Sequence, residues 1–83
     1  MFIMNDHIES ILCELALAED YHPSWPKDII HQVAIMAEES GEAVQAALQF
    51  VYEEGSLEDY RMELIQCAAM SIRCLKNLPD VEL

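Results

Sequence analysis

The chain has 83 residues and carries 4 Lys and Arg against 16 Asp and Glu, which gives a formal net charge of −12. This acidic excess argues against a nucleic acid polymer as partner, because a surface that binds phosphates must be basic. A hydrophobic content of 53% also excludes a disordered acidic tail and requires a core, although a chain this short buries only a small one by itself.

The whole chain, residues 1–83, is interpreted as one cytoplasmic domain without disulfides. Its three cysteines are an odd number, and Cys67 and Cys74 would lie roughly 10 Å apart along a helix, too far for a disulfide; the third is Cys13. Thiols that stay reduced are typical of cytoplasmic proteins. The first residues contain no basic segment before an apolar run, and no stretch of about 20 apolar residues follows. We therefore expect neither a signal peptide nor a membrane partner.

The first segment with the apolar spacing of a helix runs from about Asp6 to Asp20. Asp6 is followed three residues later by Glu9, which resembles a capping box at the start of a helix. The next six residues, 21–26, include two prolines and are interpreted as a linker. The apolar residues of the first segment form one stripe, Ile8, Ile11, Leu12 and Leu15.

The second helix is predicted to begin near Pro26, which suits a first helical turn, and to end at about Glu54. Gly55 then stands where a left-handed C-cap is favoured. A third helix is predicted from Ser56, a good N-cap residue, to a point before Pro79. No segment shows the alternation of a strand.

These segments predict an all-α fold of three helices in which the two longer helices form a hairpin. One such hairpin buries too little apolar surface for a stable core. We therefore expect a homodimer or tetramer in which two hairpins pair into a four-helix bundle.

A stripe of glutamates, Glu38, Glu39 and Glu42, crosses the second segment. Residues three or four apart on a helix have Cβ atoms roughly 5–6 Å apart, so these carboxylates repel one another. Gly41 adds a further cost within a helix and indicates either close helix packing or a need for space. A solvated acidic face is the plainest explanation of the stripe, and a metal site is the alternative.

The apolar face of this helix is predicted to consist of Ile29, Val33, Met36, Ala43, Val44, Ala47 and Val51.

The third segment places another carboxylate, Glu63, on a stripe with apolar neighbours such as Met70. Burying an ionised carboxylate there is expensive without a partner. A salt bridge to Arg61 or Arg73 would satisfy it, and so would a divalent cation shared with the glutamates of the second segment. Oxygen ligands without a Cys/His cluster indicate Mg²⁺ or Mn²⁺, which can also bind the phosphates of a triphosphate.

These residues resemble the motifs of a known superfamily. The run at 38–43, Glu-Glu-Ser-Gly-Glu-Ala, resembles the E-E-x-x-E motif of the MazG-like and dimeric dUTPase superfamily. Glu63-Leu-Ile-Gln66, with 20 residues between Glu42 and Glu63, is similar to its second motif, E-x-x-D. The resemblance extends over residues 25–78.

The resemblance implies an α-helical homo-oligomer that hydrolyses a nucleoside triphosphate to a monophosphate and pyrophosphate with Mg²⁺ or Mn²⁺. By motif position, Glu39, Glu42 and Glu63 match metal ligands. Glu38 matches the extra glutamate that binds a second metal or orients the attacking water, and is taken as the catalytic residue. Gln66 stands where the family has aspartate; its oxygen can coordinate a metal but brings no charge.

Three further residues are candidates for contact with the substrate. Trp25, beside the start of the second helix, is a candidate for stacking on a base, with a role as a core anchor as the alternative. Arg73 shares a helix face with Gln66 and is a candidate for phosphate binding, with surface placement as the alternative. His31 precedes Glu38 by two turns and is either near the site or an ordinary helix histidine.

Two other classes of protein compete with the enzyme. The charge of −12 is also typical of a non-enzymatic acidic protein that imitates DNA, and the glutamine at position 66 fits a degenerate nucleotide-binding member. A ferritin-like metal protein is disfavoured, because the pairs Glu19/His22 and Asp28/His31 fall in or beside the proline-containing linker.

Overall fold

The computed structural model describes residues 4–80 and contains three helices: α1 (Met4–Tyr21), α2 (Ile29–Tyr52) and α3 (Leu57–Lys76). No strand occurs among these residues, so the predicted all-α class is confirmed. α3 packs along both α2 and α1, whereas the backbones of α1 and α2 stay apart. α3 is therefore the central helix. Within residues 4–80, no helix is long and apolar enough to span a bilayer.

Two predicted helix starts are wrong. α1 already includes Met4, so Asp6 lies inside its first turn and does not cap it. α2 begins at Ile29 because Asp28 is its N-cap: the Asp28 carboxylate accepts a hydrogen bond of 3.0 Å from the backbone N–H of His31. Pro26 lies before the helix, and its carbonyl accepts a hydrogen bond from the side chain of Gln32.

The connection between α2 and α3 confirms one predicted cap and corrects the other. Ser56 caps α3 by accepting from the backbone N–H of Asp59 at 3.0 Å. Gly55, in contrast, does not adopt a positive φ. Its N–H donates to the Gln49 carbonyl at 3.0 Å, and a Cβ at this position would lie 2.8 Å from the Cβ of Gln49. Close approach to the end of α2 therefore requires the glycine, and a left-handed conformation does not.

The core is small and centres on Leu15 of α1 with Ala69 and Met70 of α3. The buried residues of α2 are Gln32, Ala43 and Ala46. The predicted apolar face is therefore only partly covered within a single chain. Of the seven residues predicted there, Ala43 is buried, Met36 and Ala47 are half-buried, and Ile29, Val33, Val44 and Val51 are exposed.

Candidate metal centre

Three carboxylates from two helices converge on the side of α2 that faces α3. Glu39 and Glu42 come from successive turns of α2, and Glu63 comes from the facing turn of α3. One carboxylate oxygen of each lies within 4.8 Å of the others. The turn of α2 that places Ala43 and Ala46 against α3 also directs Glu39 toward α3, since residues three to four apart share a helix face. The glutamates are therefore not a face turned wholly to solvent.

Gln66 completes this cluster, one turn after Glu63 on α3. With its amide nitrogen turned toward the carboxylates, Gln66 donates to Glu39 Oε2 at 3.3 Å and to Glu63 Oε2 at 3.2 Å. The opposite rotamer presents the amide oxygen to the same carboxylates, which is the orientation of a metal ligand. Rotation of the Gln66 amide group therefore converts the hydrogen-bonded arrangement into one in which the amide oxygen is a fourth oxygen donor.

The environment favours the protonated forms of two of these carboxyl groups, Glu39 and Glu63. Burial, followed by the charges of Glu42 and Glu63, raises the pKa of Glu39 from its ordinary 4.5 to about 7. Burial and a hydrogen bond shared with Glu42 also raise the pKa of Glu63. All the charges that shift these two pKa values are negative. A cation that supplies positive charge there would therefore relieve a real electrostatic cost.

The salt-bridge explanation for Glu63 finds no support in the described part of the chain. The ion pairs present there join Arg61 to Glu58 at 2.9 Å and Lys76 to Glu19 at 2.8 Å. Arg73 is directed to the carbonyl of His22, to which its Nη2 donates at 2.6 Å. None of these contacts involves Glu63, and no positive charge is among the causes of the raised pKa of Glu39 or of Glu63.

A cavity of about 490 Å³ opens beside the cluster. Glu39 and Gln66 line one side of it, and Trp25 and Arg73 line another. The Arg73 guanidinium lies 4.5 Å from the centre of the Trp25 ring and is buried, so the alternative of surface placement for this arginine is wrong. Trp25 packs against the core, yet its indole N–H finds no hydrogen-bond partner among residues 4–80.

Two of the candidate residues lie outside the cluster and the cavity. Glu38 is exposed on α2 and does not converge with the three carboxylates, although its charge contributes to the raised pKa of Glu39. His31 is exposed in the first turn of α2 and does not line the cavity.

Sequence reasoning missed the contribution of α1 to the cavity. Glu14, Leu17 and Tyr21 of α1 line its wall, together with His22, the first residue after the helix. These residues precede the segment that carries the resemblance, and their spacing is that of any amphipathic helix, so no local signal identifies them.

The donor set fits a hard divalent cation. An octahedral Mg²⁺ at about 2.1 Å from its ligands separates ligand oxygens by at most about 4.2 Å. Oxygens within 4.8 Å of one another reach that spacing by small side-chain rotations.

In comparisons with known proteins, no protein-family model, curated protein or solved structure matches the chain.

Proposed function

We propose that this protein is a metal-dependent nucleoside triphosphate pyrophosphohydrolase, which converts a (d)NTP and water to a (d)NMP and pyrophosphate. One observation carries the proposal: three carboxylates, Glu39, Glu42 and Glu63, converge beside a cavity that is also lined by a buried arginine and a tryptophan. An acidic site next to a ligand-sized cavity suits an anionic substrate only if cations accompany that substrate.

The proposed cofactor is Mg²⁺, with Mn²⁺ as a substitute. Glu39, Glu42 and Glu63 would hold the ion, and Gln66 would contribute its amide oxygen after rotating away from its hydrogen-bonded orientation. The ion would supply neutralisation of the charge on the substrate phosphates. The raised pKa of Glu39 supports this role, because an ion that stabilises the ionised form competes with the proton for this carboxylate.

The remaining roles follow from the positions of the side chains. A cavity of about 490 Å³ lies within the usual range for small-molecule sites. Trp25 and Arg73 both line this cavity, so the indole ring would contact a nucleobase and Arg73 would lie near the phosphates. Glu38, exposed beside the cluster, is proposed to orient the water that attacks phosphorus as a phosphoanhydride bond breaks. His31 is exposed and does not line the cavity, so its proposed contact with the substrate rests on its spacing from Glu38 along the helix.

Pyrophosphate release from a panel of ribo- and deoxyribonucleoside triphosphates, with Mg²⁺ or Mn²⁺, tests this proposal. We expect turnover of at least one nucleotide, loss of turnover in Glu42→Gln, and retention in Glu53→Gln. Glu53 is an exposed glutamate just beyond α2, so it matches the chemical change without touching the cluster. Absence of turnover across the panel with either metal would remove the enzyme proposal.

A specific observation favours a second candidate, a non-catalytic acidic protein that binds nucleotides or a basic partner. Gln66 can close the cluster through hydrogen bonds to Glu39 and Glu63 without any metal. Such a protein would bind its partner equally well in the presence of a chelator, and would show no turnover. Calorimetric titration of nucleotides with and without EDTA separates the two candidates.

A further inference from the structure

We infer that a second copy of this chain packs antiparallel onto α2, with the twofold axis beside the Ser40–Gly41 peptide bond. The inference specifies the surface for the oligomer expected of the proposed enzyme, and it does not depend on catalysis. An apolar stripe follows the exposed side of α2, and its C-terminal half borders a shallow groove shared with α3. It consists of Ile30, Val33, Ala37, Val44, Leu48 and Val51, which we name the α2 seam, and all six are exposed.

The exposure of the seam is large for an apolar helix surface. Ile30 is 71% exposed, Val44 59% and Val51 64%. The accessible surface of the chain, 6287 Å², exceeds the roughly 5,000 Å² expected of a compact monomer of this mass. The excess of more than about 1,000 Å² is comparable to the approximately 800 Å² that each partner contributes to an ordinary stable interface.

Charge also distinguishes the seam from the rest of the molecule. Two copies of a chain with a net charge of −12 repel each other, so they associate best through a surface without carboxylates. The carboxylates of α2 are Glu38, Glu39 and Glu42, and none belongs to the seam. The residues that flank the seam on one side, Ala34 and Gln45, carry no charge either.

The spacing of the seam residues indicates how the two copies align. Residues 30 and 51, 33 and 48, and 37 and 44 lie at equal distances along the chain from the bond between residues 40 and 41. An antiparallel pair of α2 helices centred there brings each residue opposite its counterpart. Such an interface is isologous, because both copies contribute the same surface.

Gly41, at the centre of this arrangement, is not required by steric crowding within a single chain. Glycine in the middle of a helix is destabilising relative to alanine. A Cβ added to Gly41 would meet nothing within 4 Å, so the fold of one chain does not require the glycine. A second helix that approaches closely at Ala37, Ser40 and Gly41 does require small residues there.

A separate apolar groove within residues 4–80 fits a second copy less well. It lies between α1 and α3, beside Leu57 and Leu64, and the ion-paired Arg61 and Glu58 line it. The α2 seam is uninterrupted by charge, and it lies opposite Glu39 on the helix. Pairing through the seam therefore leaves the carboxylate cluster and its cavity open in each copy.

Sedimentation equilibrium of the wild type and matched variants tests the inference. We expect a dimer at micromolar concentration, and an increase in its dissociation constant of at least about tenfold in Leu48→Glu, since each change enters the interface twice. Gly41→Leu should act in the same direction while circular dichroism shows an intact helical fold. Leu12→Glu is the control, because Leu12 is 52% exposed on α1 and Leu48 is 51% exposed on α2. A monomeric wild type, or equal effects of Leu12→Glu and Leu48→Glu, would overturn the inference.

Crosslinking with a short bis-thiol reagent tests the alignment, in a background that lacks the exposed thiol of Cys13. Ser40→Cys lies at the proposed axis, so it should crosslink to its counterpart. Tyr52→Cys should not, because two such residues are about 35 Å apart in the antiparallel pair. Crosslinking at both positions would indicate a parallel pair, and crosslinking at neither would contradict a contact through the seam.

Discussion

The guanidinium of Arg73 stacks on the ring of Trp25, with 4.5 Å between the guanidinium carbon and the ring centre. The same guanidinium donates to the carbonyl of His22 at 2.6 Å. Arg73 thereby fastens the linker between α1 and α2 to the central helix. It also lines the cavity beside Glu39, so one side chain holds the linker and forms part of the cavity wall.

We expect Arg73→Ala to lower the free energy of unfolding by roughly 3 kcal/mol. The change removes a charge-assisted hydrogen bond and a cation–π contact from a buried position. Lys76→Ala is the control: its ion pair with Glu19 is half exposed, and such pairs contribute less than about 1 kcal/mol. Urea denaturation measures both. Equal losses would mean that Arg73 does not fasten the linker.

The raised pKa of Glu39 predicts how the stability of the metal-free protein depends on pH. A carboxyl group with a higher pKa in the folded than in the unfolded state binds its proton more tightly when folded. Its stabilising contribution is therefore complete below pH 4.5 and is lost as pH rises through about 7. Glu39→Gln should remove this part of the dependence, because the amide does not titrate.

Thermal melting across this pH range in EDTA measures the effect as the difference between wild type and Glu39→Gln. That difference should widen from pH 4.5 to about 7 and then stay constant. The same difference for Glu53→Gln, an exposed glutamate, should stay flat. A constant difference for Glu39→Gln would show that this carboxyl group titrates normally.

Glu42→Gln should stabilise the metal-free protein by about 1 kcal/mol, because it removes one of three mutually repelling charges. The same change should weaken metal binding. Wild type should therefore melt at a higher temperature when Mg²⁺ is added, while Glu42→Gln gains much less. Glu53→Gln serves as the control. Glu82→Gln, in the C-terminal tail, would make the same chemical change, but Glu82 lies outside the described residues. Equal Mg²⁺ shifts in wild type and Glu42→Gln would mean that the cluster does not bind the metal.

Gln66→Asp should have the opposite effect. A fourth carboxylate replaces the amide that donates to Glu39 and Glu63, so the melting temperature in EDTA should fall. The added charge should increase the affinity for Mg²⁺ and enlarge the rise in melting temperature on metal addition. Differential scanning calorimetry with and without Mg²⁺ tests both. A smaller metal shift than in wild type would argue that Gln66 does not face a metal site.

Interactions between residues close in the chain could be predicted from the sequence. The three helices follow from apolar residues at helical spacing, and Ser56 could be identified as a cap because its hydroxyl needs only the N–H three residues later. The proximity of Glu39 to Glu42 is likewise a matter of one helical turn. The half-buried position of Glu63 agrees with its apolar neighbours along α3.

Tertiary packing decided the rest. The wheel of α2 has apolar residues around much of its circumference, so it does not show which side faces α3; that side includes Glu39 and leaves Val44 exposed. The sequence predicts a left-handed conformation at Gly55, whereas the close approach of Gln49 is what requires a glycine there. The helices themselves depend on contacts between residues a few positions apart, and such contacts produce a recognisable pattern in the sequence. The cavity depends on residues about 50 positions apart, such as His22 and Arg73, whose proximity arises only when the helices pack.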